Sequence, residues 1–257
     1  MMSDDALCRI YFLDVGQGDC ALIRTRGGDL LIDAGPESAQ DALCLRLEQL
    51  GVKEIALAIF THPDEDHIGG ADGVLTKIPV REVWLPMREM DNPSAARMEK
   101  AIEERGITRK NVRANEVITI GDVVIATLAP IGDATNDPND NSIVFRVTCG
   151  DIGMLFIGDA SAKVEQKLVD TYGKAHLSAQ LYKVGHHGSS TSNTEEFLSV
   201  VNPQYAVICA SIDNSYGHPH GVVVERLQNI GATVLMTATD GEVVLECNKS
   251  AIWHLKN

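Results

Sequence analysis

The chain has 257 residues, of which 44% are hydrophobic and 23% charged, the ordinary composition of a globular protein. Its 36 acidic residues outnumber the 22 basic ones, which gives a formal net charge of −14. The apolar content excludes a disordered chain, and the negative charge argues against tight binding to nucleic acid or to an anionic membrane by charge alone. A bound metal ion could reverse the local field at a site, so a nuclease is still allowed.

Membrane and export signals are weak. The longest apolar runs, at 55–60 and 205–210, fall far short of the roughly 20 residues that span a bilayer. The N-terminus carries acidic residues where a signal peptide needs basic ones. Six cysteines are scattered without a CxxC pair, and each is interpreted as a small buried hydrophobe. These features predict a cytoplasmic protein with no membrane partner.

Hydrophobic periodicity and glycine-containing turns predict a mixed order of strands and helices that is repeated twice along the chain. In the first half, strands are predicted at 8–14, 20–26, 29–33, 55–60 and 82–86, and helices at 37–50, 69–77 and 94–105. In the second half, strands are predicted at 116–120, 123–129, 142–149, 152–158, 179–184, 204–210, 233–236, 241–247 and 250–255, and helices at 161–172, 194–201 and 220–230. Two mixed sheets packed face to face, with helices outside, would accommodate this order.

The densest group of chemically reactive residues is the segment THPDEDHIGG at 61–70, where His62, Asp64, Asp66 and His67 follow an apolar strand. Imidazole nitrogen and carboxylate oxygen are donors that suit Zn²⁺, Mn²⁺ or Fe²⁺. The alternative is a solvated acidic loop in which Asp66 caps a helix. Two histidines at these offsets favour the metal site.

Two later loops repeat this placement. Asp159 ends the apolar strand of LFIGD, and His186 and His187 follow the strand of LYKVGHHGS. Taken singly, Asp159 could be a turn or N-cap residue, and either histidine could be an ordinary satisfied polar residue. Because all three loops follow apolar strands, we expect them at one edge of the sheets, where ligands commonly collect.

Several polar residues near these loops are candidates for substrate contact. Lys183, Ser189 and Ser190 flank the two histidines, the serines in a predicted helix-entry loop that could hold a phosphate; Lys183 could instead be a surface lysine. His218 is a candidate substrate contact or proton donor, and His220 a weaker one. In the loop GQGD, Asp14, Gln17 or Asp19 could approach the site, although a simple hairpin turn explains the glycines equally well. Asp33 is interpreted as an acceptor for a metal-bound histidine.

The segments HPDEDHIGG, GD and HHGS together resemble the signature of the metallo-β-lactamase-fold hydrolase superfamily. The segments FLDVGQGDCALIRTRGGDLLIDAGP, NDNSIVF, LFIGDAS, KVGHHGSSTS and GHPH narrow the resemblance to the hydrolase domain at the C-terminal end of the ComEC family of DNA-uptake competence channels. The resemblance runs from about residue 9 to about residue 247. It implies an α+β fold, a four-layer αββα sandwich formed by one domain over residues 1–257, and a freestanding relative without the channel portion. A role in DNA uptake does not carry over.

The resemblance also implies a ligand set for one or two divalent ions, Zn²⁺ or Mn²⁺. His62 and Asp64 should serve a first metal, Asp66 and His67 a second, and Asp159 should bridge both. His186 or His187 should close the second site, with His186 favoured. Two positions depart from the family pattern: Asp64 stands where a histidine is usual, and no histidine lies between residues 67 and 176. Asn141 or Ser142 would stand in for that missing ligand, or its place would be empty.

The function expected from this reading is a metal-dependent phosphodiesterase, a nuclease acting on single-stranded or flexible DNA, in which Asp66 orients the attacking water. Gln17, Asp19, Ser142, Ser189 and Ser190 are the expected substrate contacts, and Lys183 and His218 the expected catalytic partners of Asp66. Two alternatives stay open. One is a metallohydrolase of a small ester, lactone, thioester or cyclic nucleotide, and the other is a catalytically silent metal-bound partner module.

Overall fold

The computed structural model describes residues 2, 3, 5–87 and 91–256. Its strands form two sheets. The first sheet has the order β15 (Ile252–Leu255), β14 (Val243–Cys247), β1 (Cys8–Phe12), β2 (Ala21–Thr25), β3 (Gly28–Ile32), β4 (Ile55–Ile59), β5 (Glu82–Pro86) and β6 (Thr108–Val112). The second has the order β13 (Thr233–Met236), β12 (Tyr205–Ile208), β11 (Leu181–Lys183), β10 (Ile152–Phe156), β9 (Val144–Cys149), β8 (Val123–Ala129) and β7 (Val117–Ile120).

Eight α-helical segments connect the strands in the part of the chain that the structure describes. They are α1 (Gln40–Gln49), α2 (Glu65–Ile68), α3 (Ala71–Lys77), α4 (Pro93–Arg105), α5 (Ala162–Leu177), α6 (Glu195–Val201), α7 (Gly221–Asn229) and α8 (Thr237–Asp240). Short 3₁₀ turns lie at Glu37–Ala39, Asn139–Asn141 and Gly185–Gly188. None of the helices within the described ranges combines the length and the apolar character needed to cross a membrane.

Three apolar cores hold four layers together. Residues such as Phe12, Phe145 and Phe156 fill the space between the two sheets. A second core packs α1, α3 and α4 against the outer face of the first sheet, and a third packs α5, α6 and α7 against the outer face of the second. The predicted αββα sandwich is therefore confirmed. All six cysteines are free and buried, as their interpretation as small hydrophobes requires.

The structure departs from the predicted elements in three places. Strand β6 was not predicted, because its sequence TRKNV is polar and largely exposed at the edge of the first sheet. Two four-residue helices, α2 and α8, were also missed, since so short a helix shows no periodicity. The closing strands β14 and β15 return to the first sheet beside β1. The first sheet therefore takes strands from both ends of the chain.

Parallel pairing brings the reactive loops to one edge. Strands β3 to β6 run parallel in the first sheet, and strands β10 to β13 run parallel in the second. Parallel strands deliver their carboxyl ends to the same edge. The segments after β3, β4, β10 and β11 therefore lie next to one another, and these carry Asp33, His62, Asp159 and His187.

The loop that carries the two adjacent histidines is braced from behind by Asn193. Its Oδ1 accepts hydrogen bonds from the Tyr182 hydroxyl (2.8 Å) and the Gly185 N–H (3.1 Å). Its Nδ2 donates to the carbonyls of Gly185 (2.9 Å) and Ser189 (3.1 Å). The side chain is fully buried, so each lost partner would leave an unsatisfied buried group. Asn193 thus closes the loop from Gly185 to Ser189 into a fixed shape.

Replacing Asn193 with alanine should lower the free energy of unfolding by about 2–4 kcal/mol, because four buried hydrogen bonds are lost. Urea titration followed by circular dichroism measures the change. Asn202→Ala is the matched control, since Asn202 shares the left-handed backbone conformation but is exposed. Equal losses in the two variants would mean that only backbone strain, and not the brace, contributes.

Candidate metal centre

The metal-binding candidates of the two sheets meet around the Asp159 carboxylate. His67 Nε2 lies 3.3 Å from Asp159 Oδ1, and His62 Nε2 lies 3.8 Å from Asp159 Oδ2. The His62 and His67 rings are 4.0 Å apart between centroids, and His62 Nε2 is 3.7 Å from Asp64 Oδ2. Donor atoms of His62, His67 and Asp159 all lie within 4.8 Å of one another. The structure thus brings together residues that were predicted to serve two adjacent ions.

Both adjacent histidines of the second sheet reach this carboxylate, but in different ways. His186 Nε2 lies 3.5 Å from Asp159 Oδ2 and its side chain is 26% exposed. His187 is buried, and its Nε2 lies 3.7 Å from Asp159 Oδ2, 3.1 Å from Asp66 Oδ2 and 3.3 Å from His67 Nε2. The geometry therefore favours His187 at the position for which the sequence had favoured His186.

The backbone explains how two consecutive side chains can face one point. His186 has a φ of 49° and His187 a φ of 51°, in the left-handed region that residues with a Cβ rarely adopt. In an extended strand neighbouring side chains would point to opposite faces. The left-handed turn removes that alternation, and the brace from Asn193 holds the turn in place.

Unsatisfied buried atoms show that this cluster fits divalent ions. His62 Nε2 and Asp159 Oδ1 are both buried without a hydrogen-bond partner in the part of the chain that the structure describes. Such atoms are costly unless another group satisfies them. Burial and the neighbouring His67 lower the pKa of His62 to about 3, so its imidazole is neutral at pH 7. A neutral imidazole and a carboxylate are ordinary ligands of Zn²⁺ and Mn²⁺.

Asp33 orients one of the candidate ligands. Its Oδ2 lies 2.9 Å from His67 Nδ1, and its two oxygens accept hydrogen bonds from the Thr61 N–H (2.7 Å) and the Thr61 hydroxyl (2.8 Å). The contact predicted between Asp33 and a histidine is present. It fixes the tautomer and the ring plane, so that Nε2 of His67 faces Asp159.

The Cys209 carbonyl, 2.9 Å from His187 Nδ1, plays the corresponding part for His187, and a buried ion pair of Asp19 and Lys183 lies beside it. Asp19 Oδ1 lies 3.2 Å from His187 Nδ1, and Asp19 Oδ2 accepts from the Lys183 ammonium at 2.7 Å. Burial would raise the pKa of Asp19, but Lys183 and His187 outweigh it and hold that pKa well below its usual range. The GQGD loop thus approaches the site through Asp19, but Asp19 is buried and paired with Lys183, so the substrate contact predicted for it does not fit its surroundings.

The surroundings of Lys183 do not fit the predicted contact with an anionic substrate. Its side chain is 5% exposed, and its ammonium also donates to the Val184 carbonyl at 2.8 Å. It lines a small internal cavity with Phe12 and Cys209. The sequence pattern of a lysine three residues before a histidine could not distinguish this buried ion pair from a substrate contact.

The candidates for the missing ligand are placed differently from each other. The Asn141 side chain is used inside its own loop, where Oδ1 accepts from the Thr135 N–H (2.8 Å) and Nδ2 donates to the Thr135 carbonyl (2.9 Å) and the Asp137 carbonyl (2.6 Å). Ser142 is buried beside the site, and its Oγ accepts from the Asp159 N–H at 3.3 Å. Only Ser142 stays a candidate.

The two serines after the histidine loop do not lie at a helix entry. The next helix, α6, begins after Thr194, whose hydroxyl caps it. Ser189 is buried with its Oγ 2.9 Å from the Thr191 hydroxyl, whereas Ser190 is exposed and its N–H donates to His220 Nδ1 at 2.9 Å. The predicted position of the two serines at a helix entry was therefore wrong, because the chain makes a further turn before the helix starts, and their contact with substrate stays a prediction.

An open groove of about 690 Å³ runs past the cluster. Asp64, Asp66, Gln17 and Tyr216 are among the residues that line it. Gln17 Oε1 accepts from the Ser211 N–H at 3.2 Å, while its Nε2 is buried without a partner among the described residues. Gln17 therefore links the first loop to the loop that follows β12.

His218 lies beside the exposed histidine. Its ring centroid is 5.5 Å from that of His186, and its Nδ1 is buried without a described partner. Burial and His186 lower the pKa of His218 to about 4, so the ring is neutral at pH 7. Tyr216 was not among the predicted site residues, yet its ring stacks on that of His218, with centroids 5.6 Å apart. An aromatic residue directly before GHPH was the signal that could have identified it.

One protein superfamily matches most of this chain. The model of the metallo-beta-lactamase superfamily matches residues 13–211, which is more than half of the chain. The chain therefore belongs to the metallo-beta-lactamase superfamily, a class of metal-dependent hydrolases.

Within that class, the chain is similar to competence proteins. It is 29% identical to ComE operon protein 3 of Bacillus subtilis (strain 168) over 252 residues, which cover 91% of this chain and 32% of that protein. It is 32% identical to competence protein ComA of Neisseria gonorrhoeae over 229 residues, which cover 89% of this chain and 30% of that protein. The chain thus spans about a third of the length of these relatives. The resemblance to the ComEC hydrolase domain is confirmed.

Solved structures share the fold at low sequence identity. The metallo-beta-lactamase fold protein YhfI from Bacillus subtilis superposes with a TM-score of 0.61 at 11% identity, covering 96% of this chain and all of that one. A diphosphatase from the PhnP family superposes with a TM-score of 0.54 at 14% identity, covering 93% of this chain and 98% of that one. These similarities support the αββα architecture.

Replacing His187 with alanine should weaken Mn²⁺ and Zn²⁺ binding to chelator-treated protein at least about tenfold, and more than His186→Ala does. The reason is that His187 reaches Asp66, His67 and Asp159 together. Isothermal titration calorimetry gives affinity and stoichiometry. His176→Ala, which removes an exposed histidine on α5, is the control. A larger loss in His186→Ala would reverse the order that the geometry favours.

Replacing Lys183 with methionine should lower the free energy of unfolding by about 3–5 kcal/mol, because Asp19 would stay buried without its main counter-charge. The double variant Lys183→Met, Asp19→Asn should recover part of this loss, because the uncompensated charge is gone. Urea unfolding of the unmodified chain, the two single variants Lys183→Met and Asp19→Asn, and the double variant measures the coupling free energy between the two residues. Strict additivity of the two changes would rule out a stabilising ion pair.

Proposed function

We propose that this chain is a metal-dependent phosphodiesterase that cleaves single-stranded or flexible DNA. The observation that carries the proposal is the pair of buried ligand atoms without hydrogen-bond partners, His62 Nε2 and Asp159 Oδ1, beside an open groove. The groove is open, has a volume of about 690 Å³ and is lined by Gln17, Asp66 and Arg97 among others, so it offers room for a chain-like substrate. Membership of a hydrolase superfamily and similarity to competence proteins also support it.

The residues that would hold the ions come from both sheets. His62 and Asp64 would serve one ion, Asp66, His67 and His187 the other, with Asp159 between them and His186 at the exposed side. A bound divalent ion would lower the pKa of a water molecule and polarise a phosphoryl oxygen of the substrate. Whether one ion or two are present would depend on how well Ser142 substitutes for the missing histidine.

The other steps belong to the protein itself. Asp66 borders the groove with its side chain 28% exposed, and we assign to it the orientation of the attacking water and the acceptance of its proton. Asp33 would keep His67 in its productive orientation, and the Cys209 carbonyl, with the charge of Asp19 beside it, would do the same for His187. Lys183 would act through Asp19 as a positioning residue. His218, with a neutral ring, would donate a hydrogen bond to the substrate.

A small substrate is the second candidate, and the charge of the groove favours it. Glu37, Glu65, Asp64 and Asp66 line the opening, and Arg97 is paired with Glu37 at 2.9 Å. Such a lining repels a polyanion. A small diester, lactone, thioester or cyclic nucleotide carries less charge, so the groove would repel it less. A metal-bound module without activity is the third candidate, supported by the engagement of Asn141 within its own loop.

Asp66→Asn should reduce Mn²⁺-dependent cleavage of single-stranded DNA about 10²–10⁴-fold, because the residue would no longer accept a proton and would hold an ion less strongly. Protein is first treated with chelator, then refilled with Mn²⁺ or Zn²⁺, and initial rates are measured on a labelled oligonucleotide. Asp170→Asn, on the exposed side of α5, controls for loss of a surface charge.

Each other outcome of this experiment has one meaning. Unchanged cleavage in Asp66→Asn would contradict the assigned role. If the unmodified chain binds ions but does not cleave DNA, this result would favour a small diester or a lactone as the substrate. Metal stoichiometry well below one, with no turnover of any diester, would point to the silent module.

A further inference from the structure

The loop between β12 and α7 places an exposed aromatic ring at the rim of the groove. Tyr216 is 65% exposed. Among the large hydrophobic side chains that are exposed in the described part of the chain, it is the one aromatic residue. Exposure of a large ring costs free energy in water, whereas the same ring buried by a ligand contributes to binding.

The loop under this ring is rigidly built. Asn214 Oδ1 accepts from the Tyr216 N–H (3.1 Å) and the His218 N–H (2.9 Å), and its Nδ2 donates to the carbonyls of Ser211 (2.7 Å) and His218 (2.6 Å). The hydrogen bond between Gln17 and Ser211 connects the same loop to the loop between β1 and β2. The ring is therefore presented by a fixed frame and would lose little conformational entropy on binding.

The ring is also placed in line with the metal centre. Tyr216 stacks on His218 with an interplanar angle of 19°, and His218 in turn neighbours His186, whose Nε2 lies 3.5 Å from Asp159. Tyr216 lines the same groove as Asp64 and Asp66. Two ring-to-ring steps thus lead from the metal centre to an open aromatic face.

The charges of the groove indicate what this face would bind. Its carboxylates would repel a phosphate backbone, and Arg97 is already paired with Glu37. Affinity for a nucleic acid strand at this site would have to come from the metal centre and from uncharged contacts. Stacking of bases on aromatic rings is such a contact, and it tolerates any base.

We propose that Tyr216, supported by His218, forms a stacking subsite for a nucleobase close to the phosphodiester that is cleaved. This inference rests on the proposed function and names its substrate class, a single strand with unpaired bases. A duplex, whose bases stack on one another, would not supply the free face that the ring needs. Together with ions at the metal centre, the subsite would allow so acidic a chain to hold a polyanion.

Replacing Tyr216 with alanine should raise KM for a base-containing oligonucleotide roughly 5- to 150-fold, with kcat nearly unchanged, because stacking contributes to ground-state and transition-state binding alike. Tyr216→Trp should stay within about twofold, since a larger ring stacks at least as well. Ile212→Ala is the matched control, because Ile212 is 70% exposed on the same loop. With an oligonucleotide of abasic residues, the KM of the unmodified chain should be higher by the same factor. Tyr216→Ala should raise that KM no further.

A binding measurement separates failure of this inference from failure of the proposed activity. A single strand that contains 2-aminopurine is titrated with Mn²⁺-loaded protein, and quenching of its fluorescence reports stacking without any cleavage. Quenching by the unmodified chain that is lost in Tyr216→Ala and kept in Ile212→Ala would support the subsite even if no strand is cut.

Two results would overturn the subsite. One is equal quenching with and without the ring. The other is a loss of kcat in Tyr216→Ala that is the same on abasic and base-containing strands, which would make Tyr216 merely a support for His218.

Discussion

The buried carboxylate of Asp159 is the point on which the rest of this structure depends. It follows a strand of the second sheet, yet two of the histidines near it come from the first sheet's side, His62 from the loop after β4 and His67 from the short helix α2. The candidate metal centre therefore exists only while the two sheets are packed together. The inter-sheet core does more than stabilise the fold, because it sets the separation of the donor atoms. A bound ion would in turn link the two sheets, so metal binding and folding would reinforce each other.

Behind the donor atoms lies a second row of buried charges that holds them in position. Asp33 orients His67, and Asp19 lies 3.2 Å from His187, whose Nδ1 is hydrogen-bonded to the Cys209 carbonyl. Asp19 itself is kept ionised in an apolar interior by Lys183. Burying these groups is expensive, and a fully hydrophobic core of the same volume would be at least as stable. Their arrangement makes sense as preorganisation, since it fixes two imidazoles before any ion or substrate arrives.

The net charge of the chain limits how a substrate can be held. With carboxylates along the groove, a polyanion gains nothing from the long-range field. Binding would have to be local, through ions at the centre and through uncharged surfaces such as the exposed face of Tyr216. This sets the chain apart from nucleic-acid-binding proteins that depend on a basic stripe. The same negative charge is compatible with the alternative of a smaller, less charged substrate.

The sequence by itself determined most of the fold and the residue types of the site. Strand-ending loops with His62, Asp66, His67 and Asp159 were identifiable because a run of apolar residues followed by clustered donors is a local pattern. The polar edge strand β6 and the short helix α2 carry no such pattern, and the return of β14 and β15 to the first sheet depends on pairing partners far away in the chain. Only the tertiary structure shows how His186 and His187 differ in burial and contacts, because both depend on a left-handed turn braced by Asn193. It also turned Lys183 from a presumed substrate contact into the buried partner of Asp19. Residue type and spacing reveal which chemistry a chain can perform, but the direction of each side chain is fixed by contacts between segments distant in sequence.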